Sequence, residues 1–276
     1  MKTVLSIQDL SCVGRCSLTV ALPVLSSMGC RCSVLPTAVL STHTGFPQPH
    51  VVSLTGEIGS IFGHFSRLDL GFDAVTTGYL ADPAQVQAVV PILEHYRRKD
   101  SLIITDPAMG DHGKLYRGLD AAHAEAMAAL CRRADILLPN VTEAALLAGL
   151  PYREDGDETY WQELTDALME KFPAEAVLIT GVSGKAGTIG FTGCHRQTGR
   201  FSYQAPVIPR QFHGTGDLFA AVFTGAALQG ADISTAGRRA ADFVRDCVAE
   251  TPELTPQGVE FESQLYRLFP GTSHHT

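Results

Sequence analysis

Ala74-Val75-Thr76-Thr77, then Asp82-Pro83 opening a helical run to about Arg98, then Leu102-Ile103-Ile104-Thr105: residues 74 to 105 decide the fold. Both short runs are β-branched or aliphatic, and neither alternates apolar with polar, so each reads as a strand buried on both faces. Asp before Pro is a strong helix start, because the carboxylate caps free amides and proline fits the first helical position. Strand, helix, strand in so short a span implies a crossover and a parallel pair.

The pattern repeats outward in both directions. Upstream, Val4-Leu5-Ser6-Ile7 reads as a strand, Leu18 to Met28 as a helix stopped by Gly29, Ser33-Val34-Leu35-Pro36 as a second strand, and Leu54 to Leu68 as a helix. Downstream come a helix from Leu119 to Cys131, a strand Ile136-Leu137-Leu138, helices from Thr142 and Thr159, and the strand Ala176-Val177-Leu178-Ile179-Thr180. Gly187 to Phe191 and Arg200 to Tyr203 then bracket a turn-rich stretch, which predicts an antiparallel edge hairpin. Two helices follow, one after Gly216 and one from Ser234 to Glu250. The expected fold is α/β in three layers: a mostly parallel central sheet, helices on both faces and an antiparallel edge hairpin. With no repeat or linker, residues 1–276 are expected to form a single domain.

Composition narrows the function. The chain has 276 residues, 45 % hydrophobic and 18 % charged, with a formal net charge of −8. That acidity, without any dense Lys/Arg run, argues against a nucleic-acid partner. No apolar run approaches the ~18 residues of a membrane span, and Met1 to Gln8 lacks a signal peptide's apolar region. The seven cysteines are odd in number and lack zinc-ligand spacing. A cytoplasmic location with reduced thiols is the expectation.

The chemistry concentrates at His213-Gly214-Thr215-Gly216-Asp217, followed by the apolar run Leu218 to Leu228. Two glycines permit a tight turn into a buried helix, whose first amides and dipole favour an anion. Asp217 alone would suit a first helical turn, but the flanking glycines are better explained by phosphoryl transfer. Amides then hold developing charge while a carboxylate accepts the proton of an attacking hydroxyl. Other polar side chains recur at strand ends: Gln8-Asp9, Thr37 onwards, Gly78-Tyr79, Asp106-Pro107, Pro139-Asn140 and Thr180-Gly181. In an open α/β sheet those ends line one crevice.

The ordered series Gln8-Asp9, Ser41-Thr42-His43-Thr44-Gly45, Thr77-Gly78-Tyr79-Leu80, Asp106-Pro107-Ala108-Met109-Gly110, Asn140-Val141-Thr142-Glu143 and Gly214-Thr215-Gly216-Asp217 resembles the pyridoxal kinases. These are vitamin B6 kinases of the ribokinase-like superfamily. Ile7 to Gly14 looks like a bacterial group usually called pyridoxamine kinases. The resemblance implies Asp217 as general base for the 5-hydroxymethyl group of the vitamer, and Gly214, Thr215 and Gly216 as anion-hole amides. It implies Asp106 and Glu143 for magnesium, with Asn140 ordering that shell or the phosphates. For the vitamin ring it points to Asp9, His43, Thr44, Gly45 and Tyr79. The segment Gly110 to Tyr116, loop-like in sequence, corresponds to a flap over nucleotide and substrate, with Asp111, Lys114 and Tyr116 as its contacts. Thr180, Gly181, Val207 and Ile208 correspond to positions lining ATP. ATP and Mg²⁺ are therefore expected, a monovalent cation such as K⁺ is left open, and a homodimer is expected.

Three positions depart from the family pattern. Asp9 stands where well-known pyridoxal kinases carry serine, which motivates a pyridoxamine preference. Thr180 replaces a lysine found in some members, and His213 occupies the place of a cysteine that traps the pyridoxal aldehyde in one subgroup. The alternatives are a hydroxymethylpyrimidine kinase of thiamine synthesis and a vitamin-binding module without catalysis. The first usually has a glycine-rich stretch where this chain has Ser11-Cys12-Val13-Gly14-Arg15-Cys16. Sugar kinases of the superfamily insert an early β-sheet lid, for which Ile7 to Ser33 leaves little room.

Overall fold

The computed structural model describes residues 1–185 and 187–271. In chain order the strands and helices are β1 (Thr3–Ser11), α1 (Leu18–Ser27), β2 (Arg31–Leu40), β3 (Val51–Ser53), α2 (Thr55–Phe65), β4 (Ala74–Thr77) and α3 (Pro83–Tyr96). They continue with β5 (Leu102–Thr105), β6 (Gly110–Asp111), β7 (Lys114–Leu115), α4 (Ala121–Cys131), β8 (Ile136–Leu137), α5 (Val141–Ala148) and α6 (Glu158–Lys171). The last are β9 (Ala176–Ser183), β10 (Thr188–His195), β11 (Gly199–Pro206), α7 (Thr215–Leu228) and α8 (Ile233–Glu250), before a 3₁₀ segment over Glu262–Leu268.

Nine strands form one sheet in the order β11-β10-β9-β8-β5-β4-β1-β2-β3. The six from β9 to β2 are parallel neighbours. The expected hairpin, β10–β11, extends one edge antiparallel, and β3 does the same at the other. Alternate residues feed opposite faces. Leu5, Val75, Ile103, Leu137 and Val177 pack with Ile58, Val86, Met127, Ala144 and Leu164 of α2 to α6. Val4, Ala74, Ile104, Ile136 and Leu178 pack with Val20, Val222 and Ala240 of α1, α7 and α8. This is the expected three-layer, ribokinase-like arrangement.

The crossovers reverse direction at β1, which has β2 on one side and β4 on the other. Such a switch point leaves a crevice beyond the carboxyl ends of the strands. β1 and β2 are longer than sequence indicated. Between Gln8 and Leu10 the pairing of β1 slips against β2, so Asp9 faces both Thr37 and Ala38. The expected helix caps hold: Asp82 accepts from the Gln85 N–H at 2.8 Å, and Gly29 ends α1 region with φ 77°.

Candidate active site

α7 begins at the switch point with Gly214 as its N-cap, in the left-handed region at φ 83°. A Cβ there would lie 1.9 Å from the Arg15 carbonyl oxygen, so the turn sits directly on the loop between β1 and α1. Gly216 has open space where a Cβ would be, leaving the first-turn amides approachable. Asp217 follows, half-buried. Burial pushes its carboxyl up to about 7; the Ser17 backbone N–H partly offsets this, and Asp9 adds a small upward push.

Asp9 is 4 % exposed. It accepts from the Ser17 hydroxyl at 2.5 Å and from the Ser11 hydroxyl at 3.3 Å. Burial nevertheless raises its carboxyl above the ordinary range. Tyr79 lies nearby, its phenol raised by burial and then by Asp9. Its ring centroid is 6.4 Å from that of Tyr116, so these two aromatics approach across the cleft.

Asp106 leaves β5 beside the same space. It shares with Asp217, Gln8 and Thr77 a cavity of about 20 Å³. Its carboxyl is held well above the usual range by burial, by Glu143 and by Asp217. Glu143 is 1 % exposed and forms a capping box with Asn140 at the start of α5. One carboxylate oxygen accepts from Met109 N–H at 3.0 Å, the other from Asn140 N–H at 2.9 Å. Burial still raises it to about 7. Asn140 also donates to the Gly110 carbonyl at 2.8 Å, so the pair anchors the root of the segment expected to form a flap.

That flap is a hairpin, β6–β7, where sequence suggested a loop. His112 and Gly113 at its tip both have positive φ, 48° and 74°, which a two-residue hairpin turn demands. Two-residue strands carry too little periodicity to be read from sequence. The Gly113 N–H donates to the Thr142 hydroxyl at 2.9 Å, docking the tip on α5. Asp111 and Lys114 are exposed, and burial with Glu143 and Asp106 raises the Tyr116 phenol.

Asp106 and Glu143 offer the oxygen donors a small hard cation takes, and the Glu143 charge helps to hold the Asp106 carboxyl up. Glu143 has both oxygens committed to backbone amides, so it would reach such an ion only through water. Among the described residues there is no cluster of three or more His, Cys, Asp or Glu able to hold a metal by themselves. An ion kept mainly by waters and phosphates matches that donor set.

Other named residues are placed less centrally. His43 is 3 % exposed and spends both ring nitrogens within the protein. Nδ1 accepts the Gly45 N–H at 3.1 Å, which leaves the proton on Nε2 to be donated to the Pro256 carbonyl at 3.0 Å. It therefore shapes the loop through Thr44, which is exposed, while Gly45 packs on the His213 ring. Thr180 bridges to Asn140, and Gly181 has φ 74° with open space beside it. Val207 is exposed after β11, and Ile208 packs against the α7–α8 face. Ser17 was missed: a serine before an apolar helix reads as an ordinary N-cap.

A profile for the phosphomethylpyrimidine kinase family matches residues 24–260. The pyridoxine/pyridoxal/pyridoxamine kinase of Bordetella pertussis is 30 % identical over 269 residues, 91 % of this chain and 89 % of its own. A Bacteroides thetaiotaomicron structure named for phosphomethylpyrimidine kinase and solved with pyridoxal is 36 % identical, with TM-score 0.92 over 97 % of this chain and 95 % of the other. Pyridoxal kinase from Lactobacillus plantarum is 35 % identical, with TM-score 0.89 over 97 % and 96 %. No helix among the described residues is long and apolar enough to cross a membrane. The chain belongs to the phosphomethylpyrimidine kinase family, as an ATP-dependent kinase among the vitamin B6 kinases of the ribokinase-like superfamily.

Proposed function

We propose that the protein transfers the γ-phosphoryl group of ATP to the 5-hydroxymethyl group of a B6 vitamer, with Asp217 as the general base. The observation carrying this reading is Asp217 in the first turn of α7, raised to about 7 by burial and followed outward by the open space at Gly216. A base titrating near neutrality is ionised often enough to act and basic enough to take a proton. An aliphatic hydroxyl is too weak an acid to ionise beforehand, so its proton leaves with, or after, loose phosphoryl transfer.

The amides of Gly214, Thr215 and Gly216 would hold charge on the moving phosphoryl group. Asp106 would hold Mg²⁺, and Glu143 would do so through water; the ion supplies neutralisation of phosphate charge. Thr180, Gly181, Val207 and Ile208 would line ATP, with Asn140 near its phosphates. Asp111, Lys114 and Tyr116 would close over both substrates, Lys114 towards the phosphates. Asp9 offers a carboxylate to a ring nitrogen or an amine, and Tyr79 a flat face or hydroxyl. The working unit would be a single-domain chain assembled as a cytoplasmic homodimer.

The family's description keeps hydroxymethylpyrimidine in view as a second substrate. The relative solved with pyridoxal favours the vitamer. Incubation with ATP, Mg²⁺ and each of pyridoxamine, pyridoxal, pyridoxine and hydroxymethylpyrimidine tests the reading. Turnover of a vitamer is expected, with pyridoxamine preferred and that preference reduced in Asp9→Ser. Turnover of hydroxymethylpyrimidine alone would move the enzyme to thiamine synthesis.

A further inference from the structure

Ser17 adopts φ 52° and ψ −125°, a left-handed region that residues with a Cβ avoid. It is the N-cap of α1, yet its side chain makes no cap hydrogen bond. A serine selected for helix stability would accept from one of the first amides. Here the hydroxyl is turned away and donates to Asp9 at 2.5 Å. An isolated bridge between Leu10 and Ser17 ties the residue back to β1. Ser17 and Asp9 are both 4 % exposed, so water does not compete for this bond.

Strain and a forgone cap are both unfavourable locally, and what they obtain is a buried hydroxyl held on the Asp9 carboxylate. We propose that Ser17 is a positioning residue, whose hydroxyl aims Asp9 at the vitamer. The assignment rests on the kinase reading above. Removing the hydroxyl acts on vitamer recognition through Asp9.

The test is steady-state kinetics and thermal melting of wild type, Ser17→Ala, Ser17→Gly, Asp9→Asn and the Ser17→Ala/Asp9→Asn double variant. Loss of a hydrogen bond to a charged group should raise vitamer KM ~10-fold in Ser17→Ala, with kcat changed by less than ~3-fold. Asp9→Asn should raise the same KM, and the double variant should be no worse than Asp9→Asn alone. Glycine tolerates the left-handed backbone, so Ser17→Gly should melt at or above Ser17→Ala and show the same KM defect. Ser17→Gly also carries the test if the alanine variant does not fold. Additive KM effects in the double variant, a defect in kcat alone, or wild-type KM in Ser17→Gly would overturn the assignment while leaving the kinase intact. A wild-type protein inactive on every vitamer would instead remove the kinase reading, and this assignment with it.

Discussion

Gly214 meets the carbonyl of Arg15 so closely that a Cβ would sit 1.9 Å from that oxygen. Two segments nearly two hundred residues apart are thereby pressed into one corner of the cleft. The neighbouring Gly258, at φ 102°, also has the Arg15 and His213 carbonyls within reach of a Cβ. Gly214→Ala would meet both the clash and a φ of 83°. We expect it to lower stability by about 2 kcal/mol or more and to cut kcat sharply, because the α7 amides shift with the turn. Thermal melting beside kinetics checks this; an unchanged melting temperature would contradict the contact.

Asp217 also has a signature in stability. Its carboxyl is pushed from 3.8 to about 7 on folding. Between those values it is protonated in the folded protein and ionised in the unfolded chain, so stability falls as pH rises through the window. Above it, the folded protein carries a charge that its partial burial disfavours. Asp217→Asn should therefore melt higher than wild type at pH 8, with the difference shrinking towards pH 4. A variant melting lower at pH 8 would mean that the carboxylate is better compensated than its surroundings indicate.

Glu143 joins three backbone amides around its carboxylate, those of Met109, Gly110 and Asn140. Glu143→Ala leaves them buried without a partner, at about 1–3 kcal/mol each for those water cannot reach. We expect a large loss of stability together with a higher Mg²⁺ requirement. Melting curves and a magnesium titration separate the two effects, since a residue serving only as a helix cap would change the first alone.

The flap tip depends on Gly113, whose Cβ would lie 2.6 Å from the Tyr152 ring and whose φ is 74°. Gly113→Ala should lift the hairpin from α5 and raise the KM for ATP severalfold, with a smaller change in melting temperature than Gly214→Ala gives. Equal KM in both proteins would show that the tip can move aside without consequence for nucleotide binding.

What the sequence disclosed follows from how strongly burial shapes it. Ala74 to Thr77 and Leu102 to Thr105 are legible because a strand covered on both faces has no polar side to show. Val51 and Val52 of β3 are both 47 % exposed, and three residues leave no pattern. Asp9 and Asp106 at strand ends, and Asp217 at a helix start, could be gathered around one crevice from topology alone. Their mutual arrangement could not, since it depends on a slip in β1–β2 pairing and on the backbone of Ser17. His43 was drawn towards the substrate by its neighbours, whereas its two ring nitrogens hold Gly45 and Pro256. Glu143 and Asn140 carried two readings, helix start and ligand shell, and the capping box shows the first is present whatever the second does.

The most direct test of the account is ATP- and Mg²⁺-dependent phosphorylation of the B6 vitamers by wild type beside Asp217→Asn. The wild type should turn over at least one vitamer. The variant should fold, bind ATP with little change, and lose kcat by about 10²–10⁴-fold, together with the rise in activity expected of wild type as pH passes about 7. An Asp217→Asn enzyme with wild-type kcat and an unaltered pH profile would contradict the assignment of Asp217 as the base.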